Sequence, residues 1–431
     1  MSNPLDQFAS LLDAELMATK LQQHLPECVA GDWQVMGCEI QHPRYKTYRL
    51  AENRDRSFLS LVYHLRGRHP AESTAEQHIL YARAYLGERS HQAFAEAQAS
   101  GEQAIHLAEL GMVGWRFPND PAMPWLAELM DSQQAKELVP ELGQRQLLAI
   151  EIVNYRPEIR CTARYRFAAS EAEPVRVVYG KTYADERGRM VYDNLRMLQR
   201  QSQSTSAFVM PEALAYAADR RTLWLEGLPG QALAALDFTA GVTDKVPALA
   251  NALADFHQLS PPHLTAITLR QQLQELQKKA DKLSHAYPDI QPELSSLLAE
   301  LRQNRPEFET LGLIHGDFHI DQLLVLSSGR LALFDYDELA LGDPLQDLAN
   351  FAADLYNYPY RVAAIDQLVQ QLFTAYSAAN HSQTDPLRFA WHLRGQFLTR
   401  AYRAFIQQKS AAQQRVADFI ALALRPWPQA N

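Results

Sequence analysis

Apolar positions along the chain change period several times. Phe8, Leu11, Leu12, Leu16 and Leu21 fall on one face of a helix over residues 5–25. Alternation then predicts strands at 33–40, 45–50 and 58–65. Between 73 and 110 helical spacing returns, opened by Ser73 and Glu76 as a capping box. Trp115-Arg-Phe-Pro-Asn-Asp-Pro121 predicts a turn-rich packing corner, with a helical stretch after it to about 138. A second strand block follows at 147–155, 161–167 and 175–183, with Arg156-Pro-Glu-Ile-Arg160 between its first two members. It echoes the first block, with His42-Pro43 opposite Arg156-Pro157 and His64 opposite Lys181. A helix at 190–201 (Val191, Leu195 and Leu198 on one face) and a strand pair at 214–217 and 222–226 lead to Gly227-Leu-Pro-Gly230. From there the pattern is helical, over 268–304 and 360–380 among others, around one hairpin. That hairpin pairs two apolar runs, 323–326 and 331–334, across Ser327-Ser328-Gly329.

This order predicts an α+β protein, and 431 residues suggest two or three domains. We place them at 1–140 (α+β), 141–230 (strand-rich with one helix) and 231–431 (helical around the hairpin). Hydrophobic content of 47% supports several cores. A net charge of −9 argues against nucleic acid and fits a neutral or cationic small substrate. No stretch predicts a membrane span. Cys28, Cys38 and Cys161 lack metal-ligand spacing and read as reduced thiols of a cytoplasmic protein.

The hairpin carries the chemistry. Asp317, Asp321 and Gln322 precede its first run; Asp335, Asp337 and Glu338 follow its second. Pairing the runs gathers these groups at one end, where crowded carboxylates repel unless a cation neutralises them. Hard oxygen ligands favour magnesium. No P-loop or dinucleotide glycine motif occurs, so a nucleotide must be held in another way. His315, Asp317 and His319 also form H-x-D-x-H, which on a strand would share one face, as in a metal-dependent hydrolase.

His315-Gly-Asp-Phe-His-Ile-Asp-Gln322, Leu333-Phe-Asp-Tyr-Asp-Glu338 and Gly342-Asp-Pro-Leu-Gln-Asp-Leu348 together resemble the aminoglycoside phosphotransferase and choline kinase family, over about 175–405. The resemblance implies a bilobal protein-kinase-like fold, with residues 1–140 as a cap on the ATP lobe, similar to that of maltokinase-like enzymes. It implies transfer of the ATP γ-phosphate, with Mg2+, to a hydroxyl of a small molecule. Asp317 then orients the hydroxyl. Gln322, five residues on, and Asp335, 18 residues on, hold the metal. Lys181 takes the position of the lysine on the α- and β-phosphates, and the main chain at Glu226 and Leu228 that of the adenine contact. Asp343 and Asp347 fit caps of a turn and helix, the latter bracing the active loop in this family.

Three features depart from the family pattern. Glutamine stands where asparagine is usual, as in some sugar kinases of the family, which implies a sugar or amino-sugar acceptor. Arg156-Pro-Glu-Ile-Arg160 replaces the glycine-rich flap, with Arg160 as a candidate for its work. Asp193 and Glu186 are the candidates for a carboxylate paired with Lys181, and neither is favoured. A catalytically silent nucleotide-binding module is the alternative these departures raise. Acceptor specificity is expected from 260–310 and 355–410.

Overall fold

The computed structural model describes residues 4–46, 57–140, 143, 145–168, 174–202, 207–237, 241–260, 263–307, 311–380, 384–407 and 411–426. Asp13 accepts the Leu16 amide at 3.0 Å and starts α1 (Ala14–His24), which buries Met17 and Leu21. A short α2 (Pro26–Val29) leads into β1 (Gln34–Lys46), β2 (Phe58–Arg68) and β3 (Glu76–Tyr85). After α3 (Arg89–Ala99), β4 (Ala104–Leu107) and β5 (Met112–Arg116) complete an antiparallel sheet ordered β1-β2-β3-β5-β4. Alternation gives this sheet two buried faces. Leu59, Leu61, Tyr63, Leu80 and Ala82 join the core that holds α1. Val62, Tyr81, Val113 and Trp115 face a second core shared with the next sheet.

Two sequence expectations fail here. The strands expected at 33–40 and 45–50 are one strand, β1, whose register shifts between Gln41 and Arg44 with His42 at φ 50°. Pro43 cannot donate to a ladder, and the irregularity absorbs it without ending the strand; residues 47–50 lie outside the described set. The echo between the blocks therefore stops at an antiparallel outline, because Arg156-Pro157 sits in a hairpin turn and His42-Pro43 inside a strand. The helix expected over 73–110 is β3, α3 and β4 instead. Residues 78–85 send Leu80, Ala82 and Ala84 to one core and Tyr81 and Tyr85 to the other. That period of two, between β2 and β5, overrides the Ser73–Glu76 signature.

Short helices α4 (Leu126–Met130) and α5 (Ala135–Leu138) precede the second sheet. It contains β6 (Gln146–Arg156), β7 (Arg160–Ala168) and β8 (Arg176–Tyr183). After α6 (Arg187–Gln201) and β9 (Phe208–Val209) come β10 (Ala213–Ala217) and β11 (Thr222–Glu226), giving the order β10-β11-β8-β7-β6. Tyr155, Tyr165, Phe167 and Trp224 from this sheet fill the core shared with the first.

Beyond the connection at 227–229, β12 (Gly230–Ala232), α7 (Val246–His257), α8 (Leu269–Ala286) and α9 (Gln291–Gln303) begin the helical lobe. The strands β13 (Gly312–Ile314), β14 (Leu323–Leu326), β15 (Leu331–Leu333) and β16 (Ala340–Gly342) lie at its centre. The helices α10 (Leu345–Leu355), α11 (Val362–Ala379), α12 (Pro386–Gln407) and α13 (Ala412–Leu424) close it. The first sheet touches this lobe too: Tyr45 of β1 sits between Phe8 and Phe405 of α12, with ring centroids 6.0 and 6.3 Å away. Among the described residues no helix is long and apolar enough to cross a membrane.

Candidate active site

The loop from His315 to Gln322 is fixed from below. Gly316 has φ +81°, and a Cβ there would lie 2.2 Å from the Glu338 carbonyl oxygen, so only glycine fits. The buried Asp347 carboxylate accepts the His315 and Gly316 amides at 2.6 and 2.9 Å and faces His257 Nε2 at 3.2 Å. Tyr376 completes that chain, 2.7 Å from His257 Nδ1. Asp347 thus braces the loop, while Asp343 accepts the Leu345 amide at 3.1 Å and meets His392 and Arg388 at 2.9 and 3.0 Å. His315 Nε2 lies 3.1 Å from the Phe334 carbonyl, so its ring ties the loop to the end of β15. Among the described residues, the one group of three His, Cys, Asp or Glu side chains close enough to share a metal is His319, Asp321 and Asp354, a group without His315 or Asp317. The H-x-D-x-H hydrolase geometry does not form.

The hairpin delivers its acids as its register requires. Leu323 pairs with Leu333, and the Phe334 amide donates to the Gln322 carbonyl at 3.2 Å, so Asp335 emerges beside Gln322. Gln322 Nε2 lies 3.3 Å from Asp335 Oδ2 and 3.1 Å from His319 Nε2. Asp335 itself is held at φ +66°, a conformation costly for a residue with a Cβ and concentrated at functional sites. Lys181, 6% exposed at the end of β8, donates to Asp335 Oδ1 at 2.5 Å and Asp337 Oδ1 at 2.6 Å. Arg160 donates to Asp335 Oδ2 at 3.1 Å and also to Asp337, which Tyr183 reaches at 2.8 Å. Burial alone would raise the Asp335 pKa, but Lys181 and Arg160 overcome it and hold the carboxyl far below the usual range.

Asp317 faces the other way, toward α12. Arg403 donates to its Oδ1 at 3.0 Å, and His319 Nε2 is 3.7 Å from its Oδ2. Burial pushes its pKa up; Arg403 and His319 more than reverse this, so the carboxylate is ionised at neutral pH. His319 is pushed down by burial against the pull of Asp317 and Asp354.

Neither candidate partner on or before α6 reaches Lys181. Asp193 pairs with Arg189 at 3.1 Å and Glu186 with Arg221 at 2.9 Å. Asp335 and Asp337 are the carboxylates that meet Lys181. At the connection between lobes, the Glu226 amide donates to Glu212 and the Gly227 amide to Val177, both at 2.9 Å. The Leu228 amide has no hydrogen-bond partner among the described residues.

Sequence reasoning missed how the flap is held. Asp120 accepts the Glu158 amide at 2.9 Å and the Tyr155 hydroxyl at 2.8 Å. The Glu158 carboxylate takes Tyr81 at 3.0 Å, Lys46 at 3.8 Å and Arg83. The first sheet therefore fixes the turn that positions Arg160. The only sequence signal was the Pro-Asn-Asp-Pro turn, since the partners lie 35 or more residues apart. Also missed were Arg403 and Arg400, which lie on a helix whose pattern reports packing.

A cavity of about 590 Å³ opens in front of Asp317. Its walls come from Arg44, Lys46 and Ser60 of the first sheet, Arg156 of the flap, and Arg400 and Arg403 of α12. Asn357, Tyr358 and the lining residues between Arg400 and Gln407 fall in the expected 355–410, whereas Asp354, Ala412 and Arg415 lie just outside it and none of the lining comes from 260–310. The expected cap reaches the catalytic cleft itself.

The family described as "Phosphotransferase enzyme family" matches residues 165–392. No curated protein matches the chain. Among solved structures, a choline kinase from Cryptosporidium parvum aligns with TM-score 0.50 at 13% identity, covering 68% of this chain and 93% of that one. A choline kinase from Streptococcus pneumoniae gives TM-score 0.48 at 12% identity over 67% and 98% of the two chains. A macrolide 2'-phosphotransferase from Brachybacterium faecium gives 0.46 at 15% identity over 69% and 100%. The Cryptosporidium parvum alignment, at 13% identity, speaks to the fold alone, and the fold is the expected α+β, protein-kinase-like one.

Proposed function

The chain belongs to the phosphotransferase enzyme family and is a small-molecule kinase; on that premise we propose that it moves the γ-phosphate of ATP, with Mg2+, to a hydroxyl group. A sugar or amino-sugar is the acceptor class that Gln322 implies. The observation that carries this reading is the meeting of Lys181 from the strand lobe with Asp335 and Gln322 from the helical lobe, beside Asp317.

Phosphoryl transfer needs alignment and charge neutralisation more than covalent help. The donor set suits a hard cation: Asp335 offers a carboxylate, and rotating the Gln322 amide turns its carbonyl toward the same space. Mg2+ held there would place positive charge on the phosphate oxygens. Lys181 and Arg160 now neutralise the two aspartates and would turn to phosphate oxygens when nucleotide enters. Arg160, clamped through the flap, does the work of the missing glycine loop. Asp317, kept ionised by Arg403, accepts a hydrogen bond from the acceptor hydroxyl and takes its proton as the new O–P bond forms. The free Leu228 amide and the Glu226 main chain contact adenine. Residues 1–140, 141–230 and 231–431 serve as cap, ATP lobe and catalytic lobe. Cys28, Cys38 and Cys161 are all free thiols, which fits work in the cytoplasm.

ADP release over a panel of hydroxyl compounds with Mg·ATP tests the reading. Transfer to at least one member is expected; nucleotide binding without transfer to any would leave the silent-module alternative standing.

A further inference from the structure

The cavity in front of Asp317 has the wrong charge for the molecule around it. The chain carries a net −9, yet six Lys or Arg side chains and only three Asp line this space. Two of the three acids are engaged, Asp317 by Arg403 at 3.0 Å and Asp354 by Arg400 at 3.2 Å. Lys46 of β1 leans 3.8 Å from Glu158, and Arg415 of α13, the helix packed on α12, donates to the neutral Asn357 side chain at 2.8 Å. Arg44 and Arg156 have no ion-pair partner among the described residues. Crowding of cations is felt locally. Burial, then Arg44 and Arg83, lowers the Lys46 pKa. Lys279, behind Arg403, is pushed down to about 8 by burial and by that guanidinium. Arg156 lies within electrostatic reach of both Asp335 and Asp317, so its charge is available to the phosphoryl group in transfer. Arg44 and Arg415 remain without such a role.

We propose that the acceptor carries its own negative charge, a phosphate or carboxylate beside the hydroxyl, and that Arg44 of the cap and Arg415 of α13 bind that group. The inference rests on the kinase reading only for which hydroxyl reacts; the anion site stands on the cavity itself. Within the sugar class that Gln322 implies, this narrows the acceptor to an anionic sugar and sets aside the amino-sugar, because an amine would add charge to a wall already in excess. The negative net charge of the whole chain pointed the other way, since it averages a surface over which this cavity is a local exception.

Two measurements on the full-length protein test it. First, ADP release is compared for glucose 6-phosphate, glucuronate, glucose and glucosamine. The anionic pair should give the higher kcat/KM, with an acceptor KM that climbs as NaCl is added. Equal or better use of glucose or glucosamine overturns the proposal. Second, calorimetry follows glucose 6-phosphate binding to Asp317→Asn without ATP, so turnover is not needed. Adding Arg44→Gln or Arg415→Gln should weaken that binding roughly tenfold or more. Absence of binding, or binding indifferent to both substitutions, overturns the anion site. Binding that depends on Arg44 together with no transfer to any compound would uphold the site and refute the kinase reading instead.

Discussion

Replacing Lys181 by alanine separates what the buried charge cluster does for the fold from what it does for catalysis. Asp335 and Asp337 share two cations, Lys181 and Arg160, and the side chains of all four are at most 16% exposed. Removing one cation leaves two buried carboxylates on a single guanidinium. Breaking a buried pair by deleting one partner costs roughly 3–5 kcal/mol. Arg160 still reaches both acids and Tyr183 still donates to Asp337, so the low end applies, about 3 kcal/mol. A thermal melt should fall by several degrees, whereas Lys278→Ala, on an exposed pair with Glu275, should leave it unchanged. For catalysis, the lost contact to phosphate oxygens predicts a drop in kcat/KM for ATP of roughly a hundred- to a thousandfold. A variant that melts lower yet keeps kcat/KM within a few-fold would make the cluster purely structural and remove the ATP site from this cleft.

Asp317→Asn keeps the shape but loses the acceptor of the hydroxyl proton; kcat should fall roughly 10²–10⁴-fold with the KM for ATP little changed. An unaltered rate would sink Asp317 as the base. Gly316→Ala places a Cβ 2.2 Å from the Glu338 carbonyl oxygen at φ +81°, so about 1–2 kcal/mol is lost to backbone strain alone, before the clash. Its melting temperature should drop together with activity, and normal behaviour would contradict the loop geometry. For pH, Asp335 and Asp317 both have folded pKa values below the unfolded value of about 3.9. Their stabilisation is therefore complete above that value and lost as pH falls through the folded pKa. Melting temperature should hold from pH 7 to 5 and decline below about 4; a rise on acidification would reverse the sign.

Much of the catalytic half was legible because its information is local. Asp317, Gln322 and Asp335 are set by a four-residue strand, a turn with Gly329 at φ +78° and a three-residue return strand. Periodicity and turn chemistry report such units directly. Lys181 was readable from its place at the end of an apolar strand only in combination with the motifs of the catalytic half. What escaped lies in long-range pairing. The residues at 78–85 suit a strand only because β2 and β5 flank them, and nothing nearby in the sequence marks that. Lys181 meets Asp335 and Asp337 rather than a carboxylate on or before α6; Glu186 pairs with Arg221, 35 residues away, which nothing local marks, and Asp193 with Arg189 one helical turn back.

The cap changes how the missing glycine flap is understood. A glycine-rich loop can close over phosphate because it bends, whereas the turn at 156–160 is held at three points: by Arg83 and Tyr81 of the first sheet and by Asp120 in the turn after β5. Rigidity here substitutes for flexibility. It fixes Arg160 beside Asp335 before any nucleotide arrives, so less ordering is left for the binding step. The same sheet presents Arg44 and Lys46 to the acceptor cavity. On the proposed reading this layer would serve both the nucleotide and the acceptor, so a change in β1 should be felt through the 156–160 turn on one side and through the cavity wall on the other.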